Sequence, residues 1–384
     1  MSKIAFVVAA PETISSFLLG YLHALAKQHE VHVVCSLDGL DKVRGLASNI
    51  TVHDIKIHRD PKIWQDLKSL LALYRFFKKQ RFDVVHSYTP KAGLLTQISA
   101  YFAKIDKRFH TFTGQVWATK TGFARKFLKQ LDKITASMAT FCLADSPSQQ
   151  AFLIEEKLLT AANSHVLLEG SVSGVDLSRF SFSDEKRQAL RAEHGFTEQD
   201  FLFMFVGRLK KDKGVPELIQ AFNQLSKTCA DKPDNKRKNA KLVIIGSDEE
   251  NLSPLLADNQ NIHYLGFKSN VNEYYSFADM LVLPSHREGF GNVIIEAAAC
   301  HLPSLASNIY GLSDAVKTGV SGYLHPVKDV KAIEQNMMHI LSSPEEVATM
   351  RQDACERVKN TFDEAHLIKA FIAFYHQHGI EKNA

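Results

Sequence analysis

The sequence predicts an α/β protein of two Rossmann-like, doubly wound domains. Three observations carry this. The chain has 384 residues, room for about two domains of ordinary size. Short β-branched runs alternate with longer stretches of helical apolar spacing, the signature of a parallel sheet with helices on both faces. The alternation also runs twice, restarting over residues 176–188, a region that includes the helix-poor stretch from Leu177 to Ser181. The expected domains are residues 1–176 and 177–363, with a terminal helix at about 364–384 packing back on the first.

In the first run, strands are expected at residues 4–10, 31–36, 50–56, 84–86 and 108–113, with helices at 15–29, 63–80 and 93–103. The second run has strands at 201–206, 241–245, 263–265, 280–283, 304–306 and 322–324, and helices at 216–225, 271–277 and 292–300. The polar, charged segment 232–239 reads as a solvated loop.

Composition excludes several classes. With 45% hydrophobic and 23% charged residues the chain is an ordinary globular protein, so disorder is a poor reading. A net charge of +4 is too mild to argue for nucleic acid. Cys35, Cys142, Cys229, Cys300 and Cys355 form no close pair, so neither a metal site nor a disulfide framework follows, and a reducing compartment fits. The apolar run 4–10 is too short for a secretory h-region with a cleavage site. No run of about 18 apolar residues exists to span a bilayer.

Two segments carry the chemistry. The first runs from Glu288 through Gly289, Phe290, Gly291 and Asn292 to Glu296, after a buried strand and into a helix. Glycines let backbone approach a ligand, and a helix start offers free N–H groups. The flanking carboxylates suit sugar hydroxyls. A βα turn with an ordinary helical Glu is the bland alternative. The second segment, Gly207-Arg208-Leu209-Lys210-Lys211-Asp212-Lys213-Gly214, also follows a strand. Arg208 and Lys213 could offset a diphosphate and the charge on its leaving oxygen. Alone, it could equally be a solvated basic turn.

Together the two segments resemble the retaining glycosyltransferases of family 4, which have the GT-B architecture. The family's marks are a G-x-x-x-x-x-K-G loop with Arg after its first Gly, and an E-x(7)-E segment carrying G-F-G. Both stand here, with further agreement at Ser173 to Asp176, Ala278-Asp279, Gly311 and Gly319 to Gly322. The resemblance implies two domains facing each other across a cleft and closing on a nucleotide-sugar donor, itself a substrate, with no cofactor and no metal. It implies that Arg208 and Lys213 bind the donor diphosphate, Glu288 contacts the sugar, the backbone from Gly289 to Asn292 helps hold sugar and phosphate, Glu296 binds the ribose and Gly266-Phe267 lie near the base.

Two departures stand out. The loop after the first strand, Ala9-Ala10-Pro11-Glu12-Thr13, has no glycine where members often have a Gly-rich one. Many members place a His where this chain has Thr113, so Thr113, His110 or His86 is a candidate for that role. His86 ends a strand where α/β ligand sites lie, and a satisfied structural histidine is the alternative there.

The stretches 86–95 and 110–122 look like enzymes that extend bacterial surface polysaccharides on a polyprenyl-diphosphate carrier. That implies a UDP-linked donor, with an N-acetylated sugar among the candidates, and a lipid-linked glycan acceptor. The helix expected at 123–138 carries Arg125, Lys126, Lys129 and Lys133 among apolar residues, as an interfacial or a plain surface helix would. With it goes peripheral contact with an anionic membrane, at the inner face of the cytoplasmic membrane. The alternatives are a GT-B sugar-nucleotide epimerase or hydrolase, a transferase with a soluble acceptor, a phosphorylase and a non-catalytic binding subunit.

Overall fold

A computed structural model describes residues 1–38, 43, 45–58, 60, 62–231 and 239–380. Of the expected surface loop at 232–239, all but Asn239 lies outside the described residues. The chain divides into two units, Met1–Ser173 with Glu364–Ala384, and Gly174–Asp363.

Unit 1 is built on β1 (Lys3–Val7), β2 (Glu30–Cys35), β3 (Thr51–Asp54), β4 (Val84–Tyr88), β5 (Lys107–Phe112), β6 (Phe141–Ala144) and β7 (Ser164–Val166). Among the described residues these make one parallel sheet in the order β3-β2-β1-β4-β5-β6-β7. β1 shows why such strands read as unbroken apolar runs. Ile4 and Phe6 point into one core cluster, Ala5 and Val7 into another on the opposite face. The first cluster lies under α1 (Leu19–Ala26) and α13 (Glu364–Gln377), which pack on each other. The other face carries α2 (Ile63–Gln80), α3 (Pro90–Phe102) and α4 (Gly122–Met138), with α2 on α3 and α3 on α4.

α2 has the expected span. It buries Ser69, Leu73 and Phe77 at successive i, i+4 positions and stops at Arg81, whose left-handed φ of 52° lets its N–H reach the Phe77 carbonyl. Elsewhere the expectation shifts. Residues 15–29 divide into a π-helical turn, Ile14–Leu18, and the shorter α1. The strand expected at 84–86 continues to Tyr88, because Ser87 is satisfied inside the fold by His110 and Gln97. β6, β7, α5 (Pro147–Glu155) and α6 (Asp184–Glu193) are additional elements.

Unit 2 holds β8 (Asp200–Val206), β9 (Asn239–Ile245), β10 (Ile262–Tyr264), β11 (Met280–Leu283), β12 (Ser304–Ser307) and β13 (Gly322–His325). Among the described residues these form a parallel sheet in the order β10-β9-β8-β11-β12-β13. α7 (Val215–Asp231) packs on α11 (Val330–Ser342), and α9 (Asn292–Ala299) on α12 (Pro344–Thr361), around one continuous core that the short helices α8 (Val271–Tyr274) and α10 (Leu312–Ala315) also enter. Buried Asp279 ties α6 to this core through Arg187 at 2.8 Å and Arg191 at 2.7 Å.

Candidate active site

In unit 2 the strand order reverses between β8 and β11, the position where open α/β sheets bind ligands beyond their strand ends. The two segments singled out in the sequence are the loops that leave these two strands. They are knitted together. The His286 N–H donates to the Asp212 carbonyl at 2.9 Å, Arg287 pairs with Asp212 at 3.0 Å, and His286 meets Glu217 at 3.1 Å. Gly214 permits the approach, since a Cβ there would lie 2.0 Å from the Pro284 oxygen, and its φ is 69°.

Lys213 and Glu288 come together at 2.6 Å, and the Ser285 hydroxyl donates to the same Glu288 oxygen at 2.9 Å. Arg208 stands apart from this pair and meets Glu249 at 3.2 Å, a carboxylate that also takes Lys210 at 3.0 Å. Phe290 is buried and tilted against Phe362, so at 290 only the backbone is offered to a ligand. A Cβ on Gly291 would meet Leu312 at 2.7 Å. Gly207 follows β8 directly, with its N–H on the Ile245 carbonyl. Asn292 opens α9, and four residues on, Glu296 accepts the Tyr275 hydroxyl at 3.1 Å. Burial among apolar neighbours raises the Glu296 carboxyl to about 7, against the opposing effects of the Tyr275 hydrogen bond and the Arg179 charge. Gly266 and Phe267 follow β10, two strands from β8. Gly266 has a φ of 67°, and Phe267 presents a ring that is 72% exposed.

Sequence reasoning found Glu288, the partner of Lys213, and missed Glu249, the partner of Arg208. Glu249 lies on the turn after β9, 41 positions from Arg208, and no local pattern marks it.

In unit 1 the corresponding reversal falls between β1 and β4. His86 lies in β4 but is fully buried. Its Nδ1 meets the Tyr375 hydroxyl at 2.9 Å and its Nε2 the Thr111 hydroxyl at 2.8 Å. Burial, with the nearby His110, holds it well below the usual histidine range. With both nitrogens occupied and no exposed surface, His86 is a structural histidine, which corrects its expected catalytic role. His110 is likewise buried, bonded to Ser87 at 2.9 Å and lowered by burial to about 3. Thr113 is half-buried just past β5, and its carbonyl accepts from Gln149 at 2.9 Å. Thr89 is a residue the sequence did not single out. It sits at the end of β4 with φ 70°, a strained value for threonine, and its hydroxyl has no hydrogen-bond partner among the described residues.

The basic helix α4 divides its cations. Arg125 lies over the Trp117 ring and pairs with Glu156, and Lys129 also reaches Glu156, at 2.6 Å. Lys126 and Lys133 remain exposed, as do Phe123 and Phe127, whose rings stack 6.0 Å apart. No helix among the described residues is long and apolar enough to cross a membrane.

Comparison with known proteins identifies the family. Residues 186–357 match the family model of glycosyl transferases group 1, and residues 3–146 that of the glycosyl transferase 4-like group. The chain is 32% identical over 367 residues to the capsular polysaccharide biosynthesis glycosyltransferase CapM of Staphylococcus aureus, covering 94% of this chain and 93% of that one. It is 26% identical over 73% of its length, and 72% of the relative's, to an Escherichia coli UDP-Gal:alpha-D-GlcNAc-diphosphoundecaprenol alpha-1,3-galactosyltransferase. The crystal structure of Anabaena HepE in complex with UDP superposes with a TM-score of 0.78 at 17% identity, covering 98% of this chain and all of that one, a likeness of fold. The chain therefore belongs to the group 1, family-4-like glycosyltransferases of GT-B fold, in the branch that includes enzymes of surface-polysaccharide synthesis.

Proposed function

We propose that this glycosyltransferase moves a sugar from a UDP-linked donor to a polyprenyl-diphosphate-linked glycan in surface-polysaccharide synthesis, with retention of anomeric configuration. The observation that carries the reading is the paired-loop site at the switch point of unit 2, where Lys213, on the loop that also bears Arg208, meets Glu288 of the second loop at 2.6 Å. The name of the Escherichia coli relative, which specifies a UDP-linked donor and a diphosphoundecaprenol acceptor, supports the choice of substrates.

Arg208 and Lys213 hold the diphosphate and stabilise the charge that develops as the sugar leaves, the work a metal ion does elsewhere. Glu288, held by Lys213 and Ser285, faces the sugar hydroxyls. The bond from the anomeric carbon to the diphosphate oxygen breaks while the acceptor oxygen bonds to that carbon from the same face. The acceptor proton passes to the departing phosphate oxygen, and no glycosyl-enzyme forms. Glu296 accepts from the ribose, and Phe267 lies by the base. Thr113 and Thr89, at the ends of the central strands of unit 1, are the residues proposed to meet the acceptor, and α4 rests on the inner face of the cytoplasmic membrane.

The test is a donor screen by thermal shift, in which the true donor raises the melting temperature by mass action, followed by transfer to a synthetic polyprenyl-diphosphate glycan. Retention appears as an unchanged anomeric configuration by NMR. Loss of activity in excess EDTA, inversion, or a trapped adduct on Glu288 would each remove one part of the reading. UDP release at the same rate with and without acceptor would favour a hydrolase or epimerase.

A further inference from the structure

We infer that Glu249 sets the charge selectivity of the phosphate site, favouring the diphosphate diester of a nucleotide sugar over the more highly charged free diphosphate left after transfer. This rests on the reading of Arg208 as a phosphate ligand. The turn that carries Glu249 is firmly built. The Asp248 carboxylate accepts the N–H groups of Leu252 and Ser253 at 2.9 and 2.8 Å. Leu209 donates its N–H to the Ser247 carbonyl at 2.8 Å, and Glu250 accepts the Lys211 N–H at 3.0 Å. These bonds hold the Glu249 backbone beside the loop that carries the phosphate cations. Its side chain then places one carboxylate oxygen, Oε2, on both Arg208 and Lys210.

Two facts decide what such a carboxylate does. Arg208 and Glu249 are each about one-third exposed, and ion pairs of that kind are weak. A phosphate, which fits guanidinium through two oxygens, displaces it easily. But the pinned backbone keeps the carboxylate near any phosphate that Arg208 holds. It then repels that phosphate in proportion to the phosphate's own charge. In a nucleotide sugar both phosphates are diesters with one charge each. Once the sugar has left, the terminal phosphate is a monoester and ionises again with a pKa of about 6. Glu249 thus weighs more heavily against the product than against the donor, and speeds product release.

Calorimetric titration of the full chain with UDP and with UDP-N-acetylglucosamine, at about pH 8 and low salt, tests this. Glu249→Gln should tighten UDP on the order of tenfold and the nucleotide sugar only about threefold. Near pH 5.5, where the terminal phosphate loses its extra charge, the wild-type ratio of affinities should move toward that of the variant. Arg208→Ala should weaken both ligands. Equal tightening, no change, or looser UDP in Glu249→Gln, with Arg208→Ala still weakening both, overturns the selectivity role and leaves the site reading standing. Unchanged binding in Arg208→Ala, or no binding of either ligand to the wild type, overturns the site reading and this inference with it.

Discussion

At the scale of single residues, Arg208 and Lys213 leave one loop for two different carboxylates, Glu249 and Glu288. Glycine spacing and the flanking cations mark residues 207–214 locally, whereas Glu249 reaches Arg208 only because β8 and β9 lie side by side in the sheet. Histidine misled for the same reason. A strand-end His looks available from sequence, but Thr111 and Tyr375 close both nitrogens of His86 from 25 and 289 positions away. Lys213 gives the sharpest test of the site. Its ammonium pairs with Glu288 at 2.6 Å on a loop already fixed by backbone contacts. Lys213→Ala should therefore cut turnover by on the order of a hundredfold while the melting temperature changes little. Turnover near the wild-type value would remove Lys213 from the reaction.

Glu296 gives a pH prediction. Its folded pKa of about 7 lies above the usual carboxylate range. In the free protein, the stability tied to the protonated group is therefore lost as pH rises from that range through 7. Binding runs the other way, because ribose hydroxyls donate to the ionised carboxylate and pull its proton off. Nucleotide affinity should rise with pH over about one unit on either side of 7, with proton release, and Glu296→Gln should flatten that rise. Titration calorimetry in buffers of different ionisation enthalpy reads both effects. A wild-type affinity that falls with pH in this range would contradict the ribose assignment.

At the scale of elements, strong periodicity was readable and polar burial was not. α2 was placed at both ends because an apolar stripe runs its length. The end of β4 was missed because Ser87 sits inside the core on a side-chain network that no local pattern announces. α4 shows the same limit. Its four cations read as one basic face, yet two of them serve the fold. The Lys129 hydrogen bond, with both cations' charges, holds the Glu156 carboxyl below its usual range. The outward face that remains is Phe123, Lys126, Phe127 and Lys133. Each exposed cation near an anionic surface contributes about 1 kcal/mol. Neutralising Lys126 and Lys133, or changing both phenylalanines to serine, should lower flotation with anionic vesicles and leave the melting temperature in place. Neutralising Arg125 and Lys129 should lower the melting temperature instead. Equal flotation on neutral and anionic vesicles would argue against a basic membrane contact.

At the scale of the whole molecule, the chain leaves unit 1 at Ser173 and returns to it at Glu364. The two segments at these crossings pair, with the Val175 N–H on the Phe362 carbonyl at 2.8 Å. The return matters because α13 completes the core of unit 1. Leu367, Phe371, Phe374 and Tyr375 are all at most 2% exposed there. Phe371 stacks on Tyr21 at 4.1 Å, and the Tyr375 hydroxyl satisfies His86. Burying four such side chains is worth roughly 6–12 kcal/mol, comparable to the whole stability of a domain, about 5–15 kcal/mol. A chain ending at Asp363 should therefore lose unit 1 while unit 2, whose core draws nothing from α13, still folds. Hydrogen exchange would show residues 1–173 unprotected and 174–363 protected. Tyr375→Phe is the milder companion. It keeps the ring and leaves His86 Nδ1 buried without a partner, at a cost of about 1–3 kcal/mol, so unit 1 should stay folded and melt earlier. Protection of residues 1–173 in the truncated chain would mean that the seven-stranded sheet holds its core together without the returning helix.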